Sequence, residues 1–206
     1  MRPRTSLPAA MISLVLVLVL AGCAVVGDYV DIARPRDFSP EYRAALQEWT
    51  RDTTVYSEFS TRAKMAATFR SRTFVDAYLA EYARLYRQDE QDLPAVRPAA
   101  EHAGDTAEFL LYAYVPDREA IDLDQPESVW RVFLVTPGGD RLNPRDIQEL
   151  RDAGPGITEF YPYVNPAYGK IYLLTFDAAP LREGGTELPV TLVVTGVIAR
   201  VELQWN

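Results

Sequence analysis

The chain has 206 residues, with 21 Lys and Arg against 29 Asp and Glu, a formal net charge of −8, one His and one Cys. An acidic balance of this kind argues against nucleic acid as a partner and against electrostatic adhesion to anionic lipid. His102 as the only histidine excludes histidine triads and multi-histidine metal sites, and Cys23 as the only cysteine excludes an internal disulfide.

Arg2 and Arg4 precede an uncharged apolar run from Met11 that closes on small residues before a cysteine. Basic, apolar, then small is the layout of an export signal with a cleavage point. The closing residues Leu20-Ala21-Gly22-Cys23 resemble the lipobox of bacterial lipoproteins. That resemblance implies that the Cys23 sulfur takes a diacylglyceryl group, and that a peptidase recognising Leu20, Ala21 and Gly22 cuts just before Cys23. The resemblance also implies acylation of the freed amine, which is usual in that family. A thiol supplies the nucleophile for the thioether, and the small residues leave the backbone open to the peptidase. Two other readings use the same residues. Ala9 to Gly27 is uncharged and approaches the roughly 20 residues of a membrane span, and a plain secretion signal would leave Cys23 unmodified.

Lipidation at Cys23 would anchor the chain by itself, because stable attachment takes two acyl signals and a diacylglyceryl group carries two chains. Ala24, rather than Asp, after the cysteine implies by the same resemblance an outer-membrane location facing the periplasm. Removal of residues 1–22 takes away two Arg and no acid, which leaves 19 basic against 29 acidic residues and a net charge of −10. The domain plan is a signal peptide over 1–22, a tether over 23–38 and one domain over 39–206.

Ser39-Pro40-Glu41 is a helix start, and Tyr42, Ala45, Leu46 and Trp49 repeat on one face, which predicts a helix over about 40–51. From Val55 to Phe69 odd positions are mostly apolar and even ones mostly polar, which predicts one long half-buried strand. Ser71 to Gln88 returns to helical spacing, with Phe74, Tyr78, Leu79, Tyr82, Leu85 and Tyr86 as a core-facing stripe. Gln88 to Asp105 has the composition of a linker and contains His102.

Beyond it, strands are expected at Thr106–Val115, Val129–Thr136, Thr158–Tyr163, Lys170–Phe176 and Pro189–Trp205. In the last of these the apolar phase slips by one at Gly196, through either a bulge or a hairpin. Asn143-Pro144 with Ile147 and Leu150 predicts a helix over 144–152 that Gly154-Pro155-Gly156 stops. The class is α+β, mainly β: an antiparallel, immunoglobulin-like β-sandwich of six or seven strands with an N-terminal helix and an inserted helix.

Chemistry is sparse. Asp117, Glu119, Asp122, Asp124 and Glu127 read as an acidic solvated loop without the spacing of a calcium loop, and no metal or cofactor is expected. The segment from Glu159 to Lys170 carries Tyr161, Tyr163 and Tyr168 with Pro162 and Pro166. These tyrosines are the candidate interaction surface for an envelope protein or glycan, or else ordinary strand residues covering the core edge. The expected function is that of a cell-envelope lipoprotein, held to the membrane by its lipid, with a non-enzymatic binding, accessory or structural role. The alternative is a carboxylate-based hydrolase acting on cell-wall glycan or peptide, which requires two acids facing each other in a concave pocket, at least one of them with a raised pKa.

Overall fold

Ser39 starts the first element as a cap: its Oγ accepts the Tyr42 N–H at 3.2 Å, Pro40 fills the first helical position, and helix α1 runs Pro40–Trp49. The computed structural model describes residues 38–87, 106–183, 186–187 and 189–206. Cys23 and the residues before it, the tether up to 37 and the 88–105 linker with His102 lie outside the described residues.

From α1 the chain passes without a loop into strand β1 (Thr50–Ser57), which turns through Glu58 and Phe59 into β2 (Ser60–Phe69). This hairpin replaces the single strand expected from Val55 to Phe69, and parity explains the difference. A two-residue turn pairs Ser57 with Ser60, odd against even. The register then shifts between Tyr56↔Thr61 and Val55↔Ala63, so Arg62 is an extra residue and odd positions face odd ones beyond it. The alternation therefore continues through a reversal of the chain. Glu58 makes the turn at φ 54° with none of the Gly, Asn or Asp residues that usually announce one.

Ser71 repeats the cap, accepting the Phe74 N–H at 3.1 Å, and α2 spans Arg72–Tyr86 before Arg87 ends it at φ 51°. Of its stripe, Phe74 and Tyr78 are buried, Leu79 and Tyr82 are partly covered, and Leu85 and Tyr86 are exposed. Then follow β3 (Thr106–Tyr114), β4 (Arg131–Val135), β5 (Arg141–Leu142), β6 (Asp146–Glu149), the helical turn α3 (Pro155–Thr158) and β7 (Lys170–Asp177). The ribbon β8 (Arg182–Glu183) and β9 (Thr186–Glu187) and the hairpin β10 (Val190–Thr195) and β11 (Arg200–Trp205) complete the chain.

Two further expectations change, and the alternative left open at Gly196 is decided. The helix expected over 144–152 is strand β6: Arg145 and Leu150 donate their N–H groups to the Thr175 and Ile171 carbonyls at 2.7 and 2.8 Å, and the residues between pair with β7. A neighbouring strand edge outweighed a local cap signal. The strand expected over Thr158–Tyr163 is the end of α3 and a turn, with Tyr161 N–H bonded to the Ile157 carbonyl at 3.0 Å. The phase slip at Gly196 is a hairpin, since Gly196 N–H bonds to the Ala199 carbonyl at 2.9 Å and Thr195 pairs with Arg200.

Among the described residues all strand pairing is antiparallel. One sheet has the order β1-β2-β3-β7-β6 and the other β11-β10-β4-β5. They share one hydrophobic core, in which Met65 and Phe69, Phe109 and Leu111, and Leu174 of the first sheet meet Leu134, Leu192, Leu203 and Trp205 of the second. The Trp205 ring lies edge-on to Phe109 at 5.1 Å. The β1 edge is clasped to the second sheet, with Trp205 Nε1 donating to the Trp49 carbonyl and Arg51 Nε to the Gln204 carbonyl, each at 2.8 Å.

The first sheet is also buried on its other face, where Ala66, Thr68, Leu110 and Ile171 point by the two-residue period of their strands. There the segment after α3 is bound to the sheet and to both longer helices. Tyr163 Oη donates to the Leu110 carbonyl at 3.2 Å and meets Thr68 Oγ1 at 2.7 Å, and Tyr42 Oη donates to the Phe160 carbonyl at 2.8 Å. Tyr161 packs beside Phe74 with ring centroids 5.9 Å apart.

Candidate functional site

The three tyrosines singled out from the sequence are separated by the fold. Tyr161 is buried among the aromatic rings of α2, Tyr163 spends its hydroxyl on the sheet, and only Tyr168 stands open, at 65% exposure. The helical turn that replaces the expected strand sends Phe160 and Tyr161 inward together and leaves Pro162 outside. An exposed surface built from all three is therefore absent. Leu20, Ala21, Gly22 and Cys23 lie outside the described residues.

Tyr168 instead belongs to a segment that borders a cleft of about 440 Å³. Its position follows from the sheet. β3 and β7 are antiparallel with Ala113 opposite Lys170, so the chain leaving β3 and the chain arriving at β7 share one end of the sheet. β6 leaves the same end of β7, its Glu149 opposite Tyr172. Three stretches of chain thus bring Arg118 and Glu119, then Glu149, Leu150 and Arg151, and lastly Pro166, Gly169, Lys170 and Ile171 around one concavity.

Local bonds hold each stretch. Asp117 Oδ1 accepts the Glu119 N–H at 3.2 Å and caps the single helical turn Arg118–Ala120. Asn165 organises the third stretch, its side chain accepting from Ala167 N–H at 3.1 Å and its carbonyl from Tyr168 and Gly169 N–H at 3.1 and 3.2 Å. Gly169 then passes the sheet at a distance that only glycine allows, because a Cβ there would stand 2.6 Å from both the Ala113 carbonyl oxygen and the Tyr112 ring.

The cleft carries three cations and two acids in a chain whose overall charge is −8. Exposed Arg151 lies with Nε 3.4 Å from Oε2 of the largely covered Glu149. Among the described residues neither Arg118 nor Lys170 forms an ion pair. Burial raises the Tyr112 phenol, as does Tyr114, while the Arg118 charge works against them. Burial likewise pushes the Tyr172 phenol up, with the Glu149 charge adding to it, so the Tyr172 hydroxyl stays protonated and meets the Ile121 carbonyl at 3.1 Å. The arrangement offers fixed positive charge to an oxyanion and carboxylate acceptors to a hydroxyl or amine. No histidine or cysteine lines it.

Two further acids of the loop after β3 are bonded within it: Asp122 Oδ1 accepts from Ser128 Oγ at 2.8 Å and Asp124 Oδ2 from Gln125 Nε2 at 3.0 Å. Among the described residues no three His, Cys, Asp or Glu side chains are grouped to hold a metal ion, and no helix is long and apolar enough to cross a membrane. Arg118, Arg151 and Lys170 were not distinguished in the sequence, since they lie in separate stretches with no spacing to connect them. No protein-family model, curated protein or solved structure matches the chain.

Proposed function

We propose that the chain is a membrane-anchored cell-envelope lipoprotein whose β-rich body has a non-enzymatic binding or accessory role. The anchor rests on the resemblance of Leu20-Ala21-Gly22-Cys23 to a lipobox, and the outer-membrane location on Ala24. The observation that carries the binding role is the cleft, with its two cations free of ion pairs among the described residues and Tyr168 on the bordering segment. The shared core of two antiparallel sheets supports a β-sandwich. Likeness to immunoglobulin domains would lie in the layering, since β1, β2 and β3 are successive neighbours in one sheet, unlike the immunoglobulin strand order.

Flotation of membranes from cells making the full chain or Cys23→Ala tests the reading. Wild type floats with the membranes and the variant stays behind; equal behaviour of the two would overturn the anchor.

One observation favours the hydrolase as a second reading, namely that Glu119 and Glu149 line the same cleft. Release of soluble fragments from purified cell-wall sacculi by the full chain, abolished in Glu149→Gln and in Glu119→Gln, would establish it in place of a binding role.

A further inference from the structure

We infer that the cleft between β6, the turn at Arg118 and the start of β7 is a receptor for a small solute bearing an oxyanion, a carboxylate or a phosphate, held by Arg118 and Lys170. The inference deepens the binding role proposed above and rests on it.

Charge selects the ligand. The cleft has three positive side chains against two negative ones, and one pair, Arg151 with Glu149, is already matched at 3.4 Å. Arg118 and Lys170 remain, the first in the turn beyond β3 and the second at the start of its antiparallel neighbour β7, at one end of the sheet. Lys170 is partly covered, and among the described residues no carboxylate pairs with it. An oxyanion supplies that partner. Arg118 adds a planar fork of donors that fits two oxygens of a carboxylate or phosphate, and Lys170 adds a point charge.

Size and the remaining acid refine the class. A cleft of about 440 Å³ exceeds what a bare phosphate fills and lies in the range of small organic ligands. Glu119, adjacent to Arg118, accepts from a hydroxyl or amine on the same ligand. Gly169 keeps the floor low, since any side chain there would be driven into Tyr112 and the Ala113 carbonyl.

The test is calorimetric titration of the detergent-solubilised full chain with inorganic phosphate, with glycerol phosphate, and with a dipeptide carrying a free C-terminal carboxylate or its amide. One of the anions binds, the binding weakens as salt rises, and Arg118→Gln and Lys170→Gln each reduce affinity at least tenfold. A preference for the free dipeptide over its amide assigns a carboxylate, and a preference for glycerol phosphate assigns a phosphate. Arg43→Gln removes an exposed cation from α1 and leaves binding as in wild type. Lack of binding by every anion, or equal loss in Arg43→Gln, overturns the inference. Intact mass of the same preparations separates the two claims: a lipidated chain that binds no anion keeps its anchor and loses this site, whereas an unlipidated chain that binds keeps the site and loses the envelope reading.

Discussion

The backbone N–H of Ser39 donates to Glu81 Oε1 at 3.1 Å, joining the cap of α1 to the middle of α2 across 42 positions of sequence. Glu81 is buried, and Arg84 grips both of its oxygens at 2.6 and 3.0 Å. The Arg84 bonds pull the Glu81 carboxyl down to about 2, against the opposing effect of burial and with further lowering from Ser39. A folded value below the unfolded one means that this stability is present above about pH 4.5 and is lost as pH falls toward 2. The shift corresponds to about 3 kcal/mol at neutral pH. Glu81→Gln therefore lowers Tm by roughly 5–10 °C at pH 7 and by much less at pH 3, measured by thermal melts across that range.

Thr68 is the centre of a buried hydroxyl chain. Thr68 Oγ1 lies 2.7 Å from both Tyr163 Oη and Thr50 Oγ1, and the Tyr163 phenol proton also has the Leu110 carbonyl within reach at 3.2 Å. Burial pushes the Tyr163 phenol well up, which keeps that proton in place. Thr68→Val keeps the shape and removes both Thr68 bonds, and the expected loss is about 1–3 kcal/mol in denaturant melts. An unchanged midpoint would show that the chain of hydroxyls contributes nothing to stability.

Gly169 is under the cleft, and its substitution tests how the cleft is built. A Cβ there meets the Ala113 carbonyl oxygen, a backbone atom that moves only with β3. Gly169→Ala is expected to cost about 1–3 kcal/mol, a fall in Tm of roughly 2–10 °C. The same substitution weakens anion binding by displacing Lys170.

The hairpin between β1 and β2 turns on Glu58 at φ 54°, a conformation that disfavours a side chain. Glu58→Gly is expected to raise stability by about 0.5 kcal/mol, or 1–2 °C in Tm, because relief of strain exceeds the added freedom of the unfolded chain. A lower Tm would mean that the turn does not require this conformation.

Local chemistry decided what could be read from the sequence. The Ser39 cap acts within three residues and the stripe from Phe74 repeats at helical spacing, so both helix starts were legible. The strands at 106, 131 and 170 were also legible, because their apolar runs need only a sheet to lie in. What failed depended on distant partners. Ile147 has a helix start before it but sits on the edge of β7, and the alternation through Val55 and Ala63 hides a reversal that a bulge at Arg62 compensates. The cleft was least legible of all. Arg118, Arg151 and Lys170 are ordinary surface cations in the sequence and meet only because β3, β6 and β7 end together.

Intact mass of the membrane-extracted protein, compared with Cys23→Ala, tests the envelope lipoprotein reading most directly. The account predicts that wild type lacks residues 1–22 and carries added acyl mass at Cys23, and that the variant carries none. A wild-type chain that retains residues 1–22 or gains no acyl mass would contradict it.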